Sequence, residues 1–521
     1  MLRGNWWFTL GASVWLGLIA PAGCGQSSTH EAGPSGGDGD ADAGSSSGGV
    51  GGDSGSDSGS GSGGDSGSDS GRDAGTDSGG DSSAPPPTVP GFYVSPSGDD
   101  KNPGTFALPF LTLPKAQSAM QGSTSIKTTY LRAGTYALSA SSGTSNCDGG
   151  MGSTAINLGS ADSGETWSYY PPDGYASAVI DGGSTSATTG VACAFAASSA
   201  SNLTFIGLQL QHLQYSAIWV NSSPNLTVSD NSIHDLTVGI FNIGGVAIHS
   251  SSGVTVKNNY IHDVAYVGVG AWGGGMSNTT ISDNVVLNSC TAAAAPGGND
   301  QDGGDCGAIY MWDESHVSTN GIVINNYIRD VNISSSGEGD YSGCCATGIY
   351  LDDGMSNVTV SGNVVTGIKS QCFVIHGGNN DTYTGNLCDL SDSKAQRIMT
   401  YQSDSLMLAM SGNSVENNVI VAGSTSAGTG YSDGSTPTAP TIKDNAYYNY
   451  VGSSVDSSGS NGSDANPTYE DPGISCWDPT IAGGSPVFNV PVSFPKLVGG
   501  WGPPGFVLPQ TGTPSSWPHG C

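Results

Sequence analysis

Basic residues are scarce: 13 Lys and Arg stand against 44 Asp and Glu in 521 residues, a formal net charge of −31. A nucleic-acid backbone needs a basic face to bind it, so that class of partner is excluded. Long apolar runs are also missing. The stretch from Trp6 to Ala20 falls short of the ~20 residues a comfortable membrane span requires. No C-x-x-C pair occurs, which argues against a zinc site. Glycine runs such as Gly273-Gly274-Gly275 lack the strand-to-helix setting of a phosphate loop. No Ser/His/Asp arrangement has a supporting spacing.

What is present divides the chain. Residues 1–23 read as an export signal: a basic start at Arg3, the apolar run, then small residues before Cys24. The ending Ala22-Gly23-Cys24 resembles a bacterial lipoprotein cleavage box, although Pro21 replaces the Leu such a box prefers. Cys24 would then carry the lipid and hold the protein at the outer membrane or cell surface. Residues 24–89 hold a Gly/Ser/Ala/Asp-rich stretch, with Arg72 as the lone basic residue between Gly33 and Ser83. That composition cannot bury apolar surface and predicts a self-repelling tether. Residues 90–450 read as the folded body, and 451–521 as a C-terminal capping segment.

The 11 cysteines fit an oxidising compartment. Setting Cys24 aside leaves an even number for disulfides. Proximity pairs Cys147 with Cys193, Cys372 with Cys388 and Cys476 with Cys521; Cys290, Cys306, Cys344 and Cys345 remain, with connectivity open.

From about Ser201 the chain repeats. LTVSDNSIHD, VTVKNNYIHD, TTISDNVVLN, IVINNYIRD, VTVSGNVVTG and TYTGNLCD share alternating β-branched residues, an Asn, and a second apolar pair. The Asn positions are Asn231, Asn259, Asn284, Asn326, Asn363, Asn386 and Asn418. A short period with period-2 strands is a solenoid signature. The expected fold is all-β, a right-handed parallel β-helix, with the Asn residues stacked as a ladder at a fixed bend. Phe92 to Met120 reads as an N-terminal cap ending in a helix from Leu113. The Pro- and Gly-rich stretch Gly484 to Pro509 is expected over the last coil.

Each coil needs another strand. Aligning Ile218, Ile248, Val269, Ile309, Ile349 and Ile375 as inward residues turns Trp219, His249, Gly270, Tyr310, Tyr350 and His376 outward. Two residues further on the same side stand Asn221, Ser251, Trp272, Trp312, Asp352 and Gly378. Exposed rings beside carboxylates suit sugars, whose C–H faces stack on rings while hydroxyls seek acids. Trp219, His249, Trp272, Tyr310, Trp312, Tyr350 and His376 are therefore the expected substrate contacts, unless long loops bury these rings. Glycoside hydrolysis needs two carboxylates, about 5–5.5 Å apart for retention and about 6.5–9.5 Å for inversion. Neighbouring coils, about 4.8 Å apart, supply such distances. Asp352 stands on one coil; Asp305, Asp313 and Glu314 bracket the strand on the coil before.

The words DCGAIY, INNYIRD and GIYLDDG resemble those of the β-helical glycoside hydrolases with α-L-fucosidase and xylanase activities. The resemblance covers about Asn231 to Gly378. It implies Asp305 and Asp352 as the acid pair, with Asp353 as the alternative to Asp352. Cys306 stands where that family has Gly, and Arg329 where His is common. The resulting expectation is a monomeric, surface-anchored enzyme acting on a polysaccharide or oligosaccharide, without cofactor and touching the membrane only through its lipid. A calcium-dependent polysaccharide lyase is the first alternative, with Asp352 and Asp353 on the ion and Lys369, Lys394 or Arg397 as base. A non-catalytic glycan-binding surface protein is the second.

Overall fold

A computed structural model describes residues 90–139, 147, 153–186, 190–238, 243–291, 306–313, 319–331, 347–368, 370–390, 397–403, 409–423, 429–433, 438–450, 455, 457–459, 462–472 and 501–506. The expected signal, lipid site and tether lie outside these residues, as do Cys344, Cys345 and the Cys476–Cys521 pair.

The coils of the repeat share one path. A three-residue strand such as Thr227–Ser229 leads through an Asn corner to a five-residue strand, Ser232–Leu236, and then to a six-residue strand, Gly244–His249. Stacking the coils generates three sheets, with 12, 11 and 12 strands among the described residues, here called the short-strand, middle and site sheets. Pairing is parallel throughout except for the terminal pair Ser458–Gly459 with Gly462–Ser463. The chain is a right-handed parallel β-helix, as the repeat predicts.

The corners explain the repeat's most regular letter. Asn231, Asn259, Asn284, Asn326, Asn363, Asn386, Asn418 and Asn445 are all buried. Each Nδ2 donates to a carbonyl of the coil before and to a side-chain oxygen of the next ladder residue, as with Asn259 to Val228 O and Asn284 Oδ1, both 3.0 Å. The residue before each Asn has a left-handed backbone, among them Asp230, Asn258, Asp283 and Asn325, which is why Asn, Asp and Gly fill that place.

Inside, aliphatic columns stack coil upon coil. On the site sheet one column runs Ile218, Val246, Val269, Ile309, Ile349, Phe373, Met399, and the next runs Val220, Ile248, Ala271, Met311, Leu351, Ile375, Tyr401. All are buried. Cys147–Cys193 and Cys372–Cys388 form the disulfides that proximity predicts, and Cys290 pairs with Cys306.

At the entry end, the helix Leu113–Gly122 starts at Thr112, whose hydroxyl accepts the Lys115 amide, and buries Leu113, Ala116 and Met120. What is described of the C-terminal stretch, 501–506, does not sit over a coil end. It lies along the outer side of the middle sheet, with Trp501 against Tyr327 at 5.2 Å and Phe506 against Tyr260 at 4.4 Å between ring centroids.

Candidate active site

The outward side of the site sheet carries two columns whose register differs from the aligned sequence. Ile218 is level with Val246, not Ile248, and Ile349 is level with Phe373, not Ile375. The alternation is right and the level is two residues off in those coils, so inward residues remain inward. The consequence is chemical. His249 stands beside Asn221 and Trp272, and His376 moves down the face to the level of Asp352.

One column then reads Trp219, Ala247, Gly270, Tyr310, Tyr350, Val374, and the other Asn221, His249, Trp272, Trp312, Asp352. Rings from both form a continuous ladder. Trp219 to His249 is 5.2 Å, His249 to Trp272 is 5.1 Å, Trp272 to Tyr310 is 5.8 Å and Tyr310 to Tyr350 is 5.1 Å between centroids. The sequence expects these rings to be open to sugar. Trp272, Tyr310 and Tyr350 are instead at most 1% exposed and Trp219 5%, so their faces are packed against protein. His249 and Trp312 remain half-buried.

At the end of this ladder the polar groups converge. The Tyr310 hydroxyl donates to Asp352 Oδ2. His376 Nδ1 lies 2.5 Å from Asp352 Oδ1 and 3.1 Å from Asp353 Oδ1. The Asp353 amide donates to Asp352 Oδ1 at 2.9 Å, and Trp312 Nε1 donates to Asp353 Oδ2 at 2.7 Å. Asp352 is 3% exposed, whereas the Asp353 side chain is 30% exposed. Asp353 also has a left-handed backbone, φ 35°, which swings its carboxylate round the strand end to the same imidazole. Asp352 is thus a carboxylate held by donors on both oxygens, and Asp353 the one nearer solvent.

Of the other expected acids, Asp305 and Glu314 lie outside the described residues. Asp313 is fully buried directly after Trp312. The site therefore brings together Asp352, Asp353, His376, Tyr310 and Trp312, and places Trp219 and His249 several coils away along the ladder.

Asp352, Asp353 and His376 also hold their potential ligand atoms within 4.8 Å of one another. An imidazole nitrogen among two carboxylates suits a borderline transition metal better than calcium, which takes oxygen ligands. The same atoms, however, are close enough to satisfy each other: the tautomer with a proton on His376 Nδ1 would bridge both acids, and a metal would have to displace that proton. The residues fit a hydrogen-bonded cluster.

Residues 190–388 match the family described as right handed beta helix region. No curated protein matches the sequence. Solved structures similar to the chain include a GH136 lacto-N-biosidase from Eubacterium ramulus, with 13% identity over 73% of this chain and 68% of that one, TM-score 0.46. They also include the pectate lyase Pel9A, 16% identical over 63% and 79%, TM-score 0.42. A third is XylC in complex with xylose, 11% identical over 74% and 87%, TM-score 0.45. At such identities a resemblance reaches the path of the chain and not its chemistry.

Proposed function

We propose that this chain is a carbohydrate-active enzyme of the cell exterior that cleaves glycosidic bonds in a polysaccharide. The observation supporting this most directly is the Tyr310–Asp352–His376–Asp353 cluster, set on the outward side of the solenoid at the end of a ring ladder. Glycoside cleavage requires a proton delivered to the leaving oxygen and a carboxylate at the sugar. Asp353, the more exposed acid, is placed at the sugar. Asp352 orients it and His376 by accepting the Asp353 amide and the imidazole. With Nδ1 turned to the two carboxylates, Nε2 is the ring nitrogen through which His376 exchanges protons with a substrate. Asp305, implied by the family resemblance, is the proposed second acid. Trp312, half-buried beside the cluster, is the ring proposed to meet sugar.

The test is a screen of aryl-glycosides and of plant, algal and microbial glycans, following reducing ends and near-ultraviolet absorbance together. Hydrolysis releases reducing ends without absorbance. Asp353→Asn and His376→Gln should each lower the rate about 10²–10⁴-fold while circular dichroism stays unchanged. Growth of absorbance on a polyuronate would replace hydrolysis with lyase chemistry. Glycan binding without turnover, insensitive to both variants, would leave only the surface-binder reading.

Anchoring is a separate proposal, motivated by the Ala22-Gly23-Cys24 ending. In a bacterial host the wild type should sediment with membranes and Cys24→Ser should shift to the soluble fraction. Equal partition of the two would sink it.

A further inference from the structure

Asp381 lies at the corner after the site strand Gln371–His376 and is fully buried. Its Oδ1 accepts the Val358 amide at 2.9 Å, and its own amide donates to Asn413 Oδ1 at 2.8 Å. Val358, Asp381 and Asn413 therefore occupy the same place on three successive coils. On the last of these the side chain is an amide, and Asn413 Nδ2 donates to the Gly378 carbonyl at 2.8 Å. Gly378 precedes Asp381 by three residues, just as Met355 precedes Val358 by three. By the same geometry the second oxygen of Asp381 faces the Met355 carbonyl. The backbone places them together: a Cβ on Gly378 would fall 1.9 Å from Met355 O and 2.3 Å from Asp381 Oδ2.

As an ionised group, Asp381 would aim a carboxylate oxygen at a carbonyl oxygen, and Oδ2 makes no hydrogen bond as an acceptor. A buried acceptor left so is costly, whereas a protonated Oδ2 reproduces the Asn413 donor. We propose that Asp381 is kept as a neutral carboxylic acid whose Oδ2–H binds the Met355 carbonyl, making it a positioning residue for the turn that carries Asp353. That turn is otherwise tied to the site by the Gly354 amide donating to His376 O at 2.9 Å and the Met355 amide to Asp352 O at 3.3 Å. The functional weight of the turn rests on the reading of Asp353 given above.

Burial is the main cause raising the Asp381 pKa well above the ordinary carboxylate range, opposed by the Val358 amide. The titratable groups that face it are Tyr383 and Tyr401, whose own pKa values burial raises. Rising pH removes the donor, and the Met355 carbonyl loses its tie to the next coil, leaving the Gly354 and Val358 amides to hold the turn.

The experiment is hydrogen–deuterium exchange on the peptide spanning 354–358, from about pH 6 to pH 10 and corrected for intrinsic rate, in wild type, Asp381→Asn and Asp381→Leu. Wild-type protection should fall as pH rises, by about tenfold per pH unit once the pH exceeds the Asp381 pKa, because the protonated fraction then falls tenfold per unit. Asp381→Asn keeps the donor and should hold protection flat across the range. Asp381→Leu should be unprotected at every pH. An infrared band from an un-ionised carboxyl at neutral pH, absent in Asp381→Asn, is the independent readout. The same alkaline loss in Asp381→Asn, or no such band in the wild type, would overturn the proposal. Neither measurement reads turnover, so their outcome and that of the glycan screen are separable.

Discussion

At the scale of single residues, the site turns on a difference of two positions. Alternation decides which side of a strand a residue faces and says nothing of its level along the solenoid. Ile248 and Ile375 satisfy the alternation as well as Val246 and Phe373 do. A second signal was available. Ile218, Val246 and Phe373 each precede the next short strand, at Thr227, Thr255 and Thr382, by nine residues. Counting back from those strands sets Val246 and Phe373 level with Ile218 without a structure, but Ile349 precedes Thr359 by ten residues, so the count alone does not put His376 beside Asp352. The burial of the rings was not legible in this way. Gly270 shows why: a Cβ there would lie 1.8 Å from the Trp272 ring, so the far edge of the indole sits over a bare backbone, 5.8 Å between centroids from Tyr310. A glycine in an aromatic column looks like a gap in a sugar platform, but here it is the seat of a packed ring.

At the scale of the element, the asparagine ladder was the most legible feature, because its chemistry forces one residue type. Each rung must accept from the main chain and side chain of the rung before and donate onward, which needs an amide. The last rung has no such duty. It is Asp464, an acceptor that takes the Asn445 main-chain and side-chain amides at 3.1 and 2.7 Å and the Tyr447 hydroxyl at 2.9 Å. This end was not read from sequence, since a single Asp in a Gly- and Ser-rich stretch carries no periodic signal. The ladder predicts an asymmetric cost. Asn284→Ala would strand the Asn259 amides and the Val256 carbonyl in the interior. Buried groups left unpaired cost about 1–3 kcal/mol each, so a loss of about 3 kcal/mol or more in urea unfolding is expected. Asn202→Ala, on an exposed corner with a left-handed backbone, is the control and should cost far less. Equal losses at the two positions would mean the ladder is not a special source of stability.

At the scale of the molecule, the excess of acid acts in two ways that salt separates. A net charge of −31 makes the chain repel itself more as pH rises. Independently, some acids are buried in neutral form. Glu165, fully buried beside Asp162, is pushed up from 4.5 to about 9, by burial first and the neighbouring acid second. An acid raised in the fold releases its proton on unfolding, so stability falls as pH climbs from its unfolded value to its folded one. Asp381 acts in the same direction. His262 opposes them: burial lowers its pKa, so stability is lost as pH drops below its ordinary 6.5. Asp181 and Asp263 are lowered by hydrogen bonds that outweigh their burial, and lose their contribution only near and below 3.8. The Glu165 shift spans the interval between about pH 5 and about pH 8.5, and Asp381 adds to the slope in the same direction. The urea midpoint should therefore be higher at about pH 5 than at about pH 8.5, the reverse of a fold held by ionised carboxylates. Glu165→Gln should raise the midpoint at the upper pH, leave it nearly unchanged at about pH 4, and flatten the profile. Surface repulsion is screened at high ionic strength, where the Debye length drops to ~3 Å at 1 M, while a buried carboxyl is screened much less. If the slope vanishes in salt and is unchanged in Glu165→Gln, repulsion is its source; if it persists in salt and shrinks in the variant, the buried acid is.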